Sequence, residues 1–184
     1  MTHLTPTPGH TIGPFFHYAL PYPGDRDLVA PGSPGSVLLH GVVRDGVGSG
    51  VPDALVEIWQ AGPDGSVPRT AGSMRRDGST FTGFGRSSTD RTGRFTFTTL
   101  PPGSVAGGLP FFAVAVFARG LTHRLLTRAY LPLDGATPDA LLESVGPRAA
   151  RMCCAREGTS LRFDIVLQGA EESVFLDHGG HSSP

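Results

Sequence analysis

What most limits the fold of this chain is the rhythm of residues 36–168: short runs of strand-forming side chains with glycine- and proline-rich turns between them. Residues 36–43, 54–60, 93–99, 110–118, 122–131 and 160–168 each read as a strand. The run 93–99 alternates cleanly, with Phe95 and Phe97 on one face and Thr96 and Thr98 on the other. In 160–168, Leu161, Phe163, Ile165 and Leu167 share one face while Arg162 and Asp164 share the opposite one. A further strand is expected at residues 173–176. With 26 glycines and 17 prolines among 184 residues, the chain suits many turns and few long helices. The pattern predicts an all-β domain, a sandwich or a barrel.

Three stretches depart from it. Residues 1–35 are punctuated by prolines and carry Phe15, Phe16, Tyr18 and Tyr22, so they read as an extended arm with aromatics to bury. The domain proper is expected over 36–184. One short helical segment is predicted near 137–152, with Thr137 as its cap, Pro138 at its first position and Gly146 as its stop. Residues 65–92 form the longest polar connection, of the kind that serves a site or an interface.

Composition excludes several functions. The formal net charge is −1 and the 15 positive residues are scattered, so no basic stripe awaits a nucleic acid. No apolar run of about 18 residues exists, so no membrane span is expected. The N-terminal segment has neither a basic region nor an apolar one, so no signal peptide is expected. The adjacent Cys153 and Cys154 are poorly placed to pair with each other, which favours a reducing, cytoplasmic setting. The sequence has no lysine, which excludes Schiff-base chemistry and a phosphate-loop lysine, and no asparagine, which excludes N-glycosylation.

Side chains that commonly carry chemistry read mostly as structural. The seven histidines show no ligand spacing on a regular element, and His178 and His181 stand in a glycine-rich tail. Nothing resembles a nucleophile elbow. Residues 83–88 look faintly like a phosphate loop but lack the helix and the lysine. Cys153 reads as a structural thiol. Glu57 shares a face with Leu55 and Trp59, which places it at an edge or in a buried ion pair. On alternation, Arg124, Leu126, Arg128 and Tyr130 share one face. Arg128 fits either a solvated position on an open sheet or an anion clamp, since guanidinium matches carboxylate with two hydrogen bonds.

Five blocks in order carry a more specific signal: TPGHTIGPFFHYAL (7–20), VPDALVEIWQAGPDG (51–65), FTGFGRSSTDRTGRFTFTTLPPG (81–103), VFARGLTHRLLTRAYL (116–131) and RFDIVLQGAEESVFLD (162–177). Together they resemble the intradiol ring-cleavage dioxygenases, and within that family the iron-free alpha subunits of its two-subunit members. The resemblance implies a β-sandwich of mixed sheets. It also implies an Fe(III) centre that catalytic members build from two tyrosines and two histidines. The positions matching those four ligands are Val67, Val105, Phe111 and Ala113 here, and none can coordinate iron.

The family therefore implies that the iron belongs to a homologous beta subunit. The active site would lie at the seam between the two chains, where a small aromatic carboxylate, 3,4-dihydroxybenzoate, is cleaved with O2. By the same resemblance Thr11, Gly13 and Pro14 of the arm line the wall of that site and Arg128 faces the substrate carboxylate. Two other readings remain at this stage: a non-enzymatic β-sandwich binding or scaffolding module, and an alpha subunit for another carboxylated catechol.

Overall fold

The computed structural model describes residues 19–69, 77 and 80–177. Two sheets face each other across one core. The first holds β4 (Arg94–Thr99), β1 (Val37–Arg44), β8 (Ser160–Arg162) and β7 (Ala155–Glu157) in that order, and β9 (Ile165–Val166) also pairs with β1. It is mixed: β1 runs antiparallel to β4 but parallel to β8 and β9. The second sheet has the order β3 (Phe84–Ser88), β2 (Leu55–Gln60), β5 (Phe111–Phe117), β6 (Leu125–Tyr130) and is antiparallel throughout.

Alternation decides which side chains enter the core. Leu39, Val43, Phe95, Phe97, Phe163 and Ile165 from the mixed sheet meet Val56, Ile58, Phe112, Val114 and Val116 from the antiparallel one, and all are buried. This leaves Glu57, Trp59, Phe111, Ala113, Ala115 and Arg128 on the outer face of the antiparallel sheet.

The all-β expectation holds, and its misses have physical causes. Residues 65–92 are not one loop, because β3 lies inside them and pairs with β2 from Leu55↔Ser88 to Trp59↔Phe84. Its small residues, Gly85, Ser87 and Ser88, hide a strand that tertiary pairing stabilises. The run 160–168 is split. At the break the Val42 amide donates to Asp164 Oδ1 (3.1 Å), so a side chain replaces a ladder carbonyl. Residues 173–176 hold backbone bonds at both ends, Ser173 N to Val166 O and Leu176 N to Leu126 O, without forming a strand.

The helix α1 (Ala140–Val145) is capped by Asp139 and not by Thr137: Asp139 Oδ1 accepts from the Leu142 amide at 2.9 Å. A carboxylate suits that position better, since it adds charge complementarity to the helix end. Gly146 does end the helix, at φ 64°, and a 3-10 segment (Gly146–Met152) follows. Leu142 and Met152 cover Tyr130 on the outer face and make a second, smaller core with Val174.

The segment before β1 is fastened to the sandwich. Leu28 enters the core, and its amide donates to Thr98 O at 2.8 Å. Arg86 donates through Nε (2.9 Å) and Nη2 to Glu57 Oε1, and through Nη1 to Leu20 O (2.6 Å). Its guanidinium lies 5.9 Å from the Tyr22 ring centre and 5.6 Å from that of Phe84. Of the two positions open to Glu57, the buried ion pair is the one it takes.

Candidate functional site

Strand register assembles the site. Across the outer face of the antiparallel sheet, Phe84 pairs with Trp59, Trp59 with Ala113, and Ala113 with Arg128. The small alanine leaves a depression in this row. The loops after β2 and β4 wall it with Val67 and Val105, and the result is a cleft of ≈ 450 Å³. Trp59, Phe111, Arg128 and Asp139 also line it. A cleft of this size and character, apolar with a few convergent polar groups, is what small-ligand sites look like.

The two loops are bound to each other. Gly103 donates its amide to Gly62 O at 2.9 Å. A Cβ on Gly103 would stand 2.3 Å from Pro63 O, and one on Gly65 would stand 2.0 Å from Ser104 O. Neither position has room for a side chain, and Gly65 also sits at φ 80°. Buried Gln60 fixes the chain before the second loop: its amide donates to Leu100 O (2.8 Å), and its carbonyl oxygen accepts from Thr99 Oγ1 (2.5 Å). The cleft is therefore a built concavity with a rigid frame.

Arg128 supplies its cation. The guanidinium carbon lies 4.2 Å from the centre of the Phe111 ring, and Nη1 donates to Tyr130 Oη at 3.0 Å. Tyr130 in turn donates to Asp139 Oδ2 at 2.8 Å. Asp139 thus caps α1 with one oxygen and holds Tyr130 with the other. Burial pushes the Tyr130 phenol above its ordinary pKa; the bond from Arg128 opposes this and the bond to Asp139 adds to it. Among the described residues no carboxylate forms an ion pair with Arg128. Its fork is oriented but not neutralised.

Three of the four positions matched to iron ligands, Val67, Val105 and Phe111, meet in this cleft. The fourth, Ala113, is on the same sheet face and is Arg128's partner in register. Two valines, a phenylalanine and an alanine present no lone pair, so this set does not fit iron. Among the described residues no group of three or more His, Cys, Asp or Glu is placed to hold a metal. Thr11, Gly13 and Pro14 lie outside the described residues. Sequence reasoning missed Tyr130 as the partner of Arg128 and Asp139 as the partner of Tyr130. Tyr130 was legible as the i+2 neighbour of Arg128 on one strand face, whereas Asp139 arrives only through the fold. Cys154 is buried and its thiol is pushed up to about 12, which makes it structural.

Residues 13–107 match the family model described as "Dioxygenase". The chain is 35% identical to the protocatechuate 3,4-dioxygenase alpha chain of Burkholderia cepacia, over 96% of this chain and 100% of that one. The chain belongs to the intradiol dioxygenase family. It is also 36% identical to the alpha chain of the Pseudomonas putida enzyme, over 95% of this chain and 97% of that one. With the beta chain of the Burkholderia cepacia enzyme, identity is 30% over 73% of this chain and 65% of that one.

Solved dioxygenases share the fold. The dioxygenase domain of a carbohydrate-binding fusion protein from Streptomyces sp. SirexAA-E gives a TM-score of 0.57 at 24% identity, covering 90% of this chain and all of that one. An intradiol ring-cleavage dioxygenase from Tetranychus urticae gives 0.56 at 15% identity, covering 79% and 88% of the two chains. Intradiol dioxygenases are iron-dependent, and the cleft of this member carries aliphatic and aromatic side chains where the resemblance places the ligands.

Proposed function

We propose that this chain is the iron-free alpha subunit of a protocatechuate 3,4-dioxygenase. It pairs with a homologous beta subunit that holds Fe(III), and the two chains complete one active site at their seam. There O2 opens the ring of 3,4-dihydroxybenzoate between its hydroxylated carbons to give 3-carboxy-cis,cis-muconate. The observation that carries this reading is the cleft itself, where Val67, Val105 and Phe111 stand at matched ligand positions while Arg128 remains, held by Phe111 and Tyr130. A chain that contributes no metal contributes binding and orientation. Arg128 offers a planar fork to the substrate carboxylate, and thin backbone at Gly13 and Pro14, with Thr11, forms the wall against the ring. The two free cysteines fit a reducing, cytoplasmic setting.

Co-expression tests this. Made alone, the chain binds no stoichiometric iron and turns over no protocatechuate. Made with a beta homologue that has Tyr, Tyr and His-X-His at the matched positions, it gives a burgundy complex, coloured by phenolate-to-iron charge transfer. Metal analysis that finds one iron per isolated chain would sink the proposal.

A further inference from the structure

The geometry points to the cleft of this chain as a binding site in its own right for an aromatic monocarboxylate, held without any metal. The inference rests on the reading of Arg128 as a carboxylate clamp and not on the iron-bearing partner. The observations behind it concern the shape, lining and charge of the cleft.

Its shape is enforced. The close contacts at Gly65 and Gly103 lock the two loops to each other, and the bonds of Gln60 tie the end of β2 to the start of the loop after β4, so the concavity does not depend on an occupant to hold its shape. Its walls are apolar and wet. Among the described residues five large hydrophobic side chains are exposed, and three of them, Trp59 (49%), Val67 (58%) and Val105 (41%), converge here. A flat ring placed between them would remove that surface from water.

Its charge selects the head group. Among the described residues Tyr130 alone takes a hydrogen bond from Arg128, so Nε and Nη2 are left for a ligand. Phe111 beneath the guanidinium fixes the plane of the fork, which suits the two oxygens of a carboxylate. Asp139 has both oxygens engaged, by Leu142 and Tyr130, and the Tyr130 hydroxyl stands between it and the guanidinium. Its negative charge nevertheless disfavours a dianion such as a phosphate monoester. One cation, one nearby anion and apolar walls match a monoanion on an aromatic body. With no metal present, ring hydroxyls add nothing to recognition, so benzoate should serve as well as a catechol acid.

Trp59 is the only tryptophan in the sequence, so its emission reports on the cleft wall. The full chain, purified alone in excess chelator, is titrated with benzoate, with benzamide as the neutral isostere and with catechol. Benzoate should give a saturable change in Trp59 emission. Benzamide and catechol should bind about tenfold or more weakly, the loss expected for a charge-assisted hydrogen bond. Arg128→Gln should weaken benzoate by a similar factor. Val105→Asp is the second variant: its site is exposed, so the fold is untouched, and it sets a like charge against the ligand. Thermal melts confirm that both variants are folded. The absence of a saturable response to benzoate, or a response that both variants leave unchanged, overturns the inference. An active, iron-bearing co-expressed complex together with a silent lone chain would reject this site and leave the proposed function standing. The opposite pair of results would reject the partner and leave the site.

Discussion

The guanidinium carbon of Arg128 lies 4.2 Å from the centre of the Phe111 ring, across the antiparallel pairing of β5 and β6. Position 111 is one that the family resemblance assigns to a histidine ligand. Here an aromatic ring sits there and gives the neighbouring cation a seat. The same residue that cannot bind iron orients the group proposed to bind the substrate.

The first prediction concerns that seat. In the complex, Phe111→Leu keeps apolar bulk but removes the quadrupole under Arg128, a contribution of about 1 kcal/mol. Steady-state kinetics on protocatechuate should show kcat/KM down by roughly fivefold, with weak turnover of catechol unchanged. Phe111→His should not confer iron binding on the isolated chain. One imidazole beside Val67, Val105 and Ala113 is far from a ligand set, and metal analysis checks this.

Arg128→Ala should cost more. Losing one partner of a buried, hydrogen-bonded charge pair costs about 2–5 kcal/mol, and half-buried Arg128 belongs at the lower end. The kcat/KM for protocatechuate should fall by roughly 30-fold or more, chiefly through KM, while that for catechol, which has no carboxylate, stays level. Arg128→Lys should recover part of the loss, because a point charge replaces a planar fork. Equal losses on both substrates would instead assign Arg128 to assembly.

Tyr130 offers a test by pH. Its folded pKa is raised above the ordinary value of 10.0, so the neutral phenol is the form the fold favours. The stability it contributes is fully present below the unfolded pKa and is lost as pH rises through the folded one. Tyr130 should therefore ionise late in an ultraviolet titration. Tyr130→Phe should remove that late phase and flatten the fall in Tm on the alkaline side.

The sequence made the fold class legible because alternation at Phe95–Phe97 and Leu161–Ile165 survives burial unchanged. It concealed β3, whose glycine and serines carry no hydrophobic period and whose pairing with β2 is entirely tertiary. At the site, Arg128 was visible as a charge on one face of a predicted strand, and the matched ligand positions as four side chains without lone pairs. The bond from Tyr130 to Asp139 was not visible. It joins a strand to a helix cap, and no local pattern shows which of Thr137 and Asp139 will turn toward the sheet.

Deleting residues 1–14 should leave Tm close to the wild-type value, because the described fastenings at Leu28 and Leu20 are kept. If Thr11, Gly13 and Pro14 form the wall of the site, the same deletion abolishes turnover in the complex. Wild-type kinetics from the truncated chain would remove those residues from the site.

The pair Glu57–Arg86 decides how that segment is held. The two side chains are 15% and 9% exposed, respectively, so each is largely desolvated and each depends on the other. Glu57→Leu leaves an uncompensated cation in the sheet face, at a cost of about 3 kcal/mol, the low end for a pair that keeps some contact with water. Arg86→Met should cost more. It strands the carboxylate of Glu57 and also leaves Leu20 O without its donor, a further ~1–3 kcal/mol. In the double variant neither charge is stranded, and what remains is mainly the loss at Leu20. Its cost should therefore fall below that of Arg86→Met alone, with a coupling energy of about 2 kcal/mol or more in a double-mutant cycle. Urea denaturation of the four chains measures it. Additive losses would mean that each residue acts through its own surroundings, and that the segment before β1 is held by Leu28 and the Thr98 backbone instead.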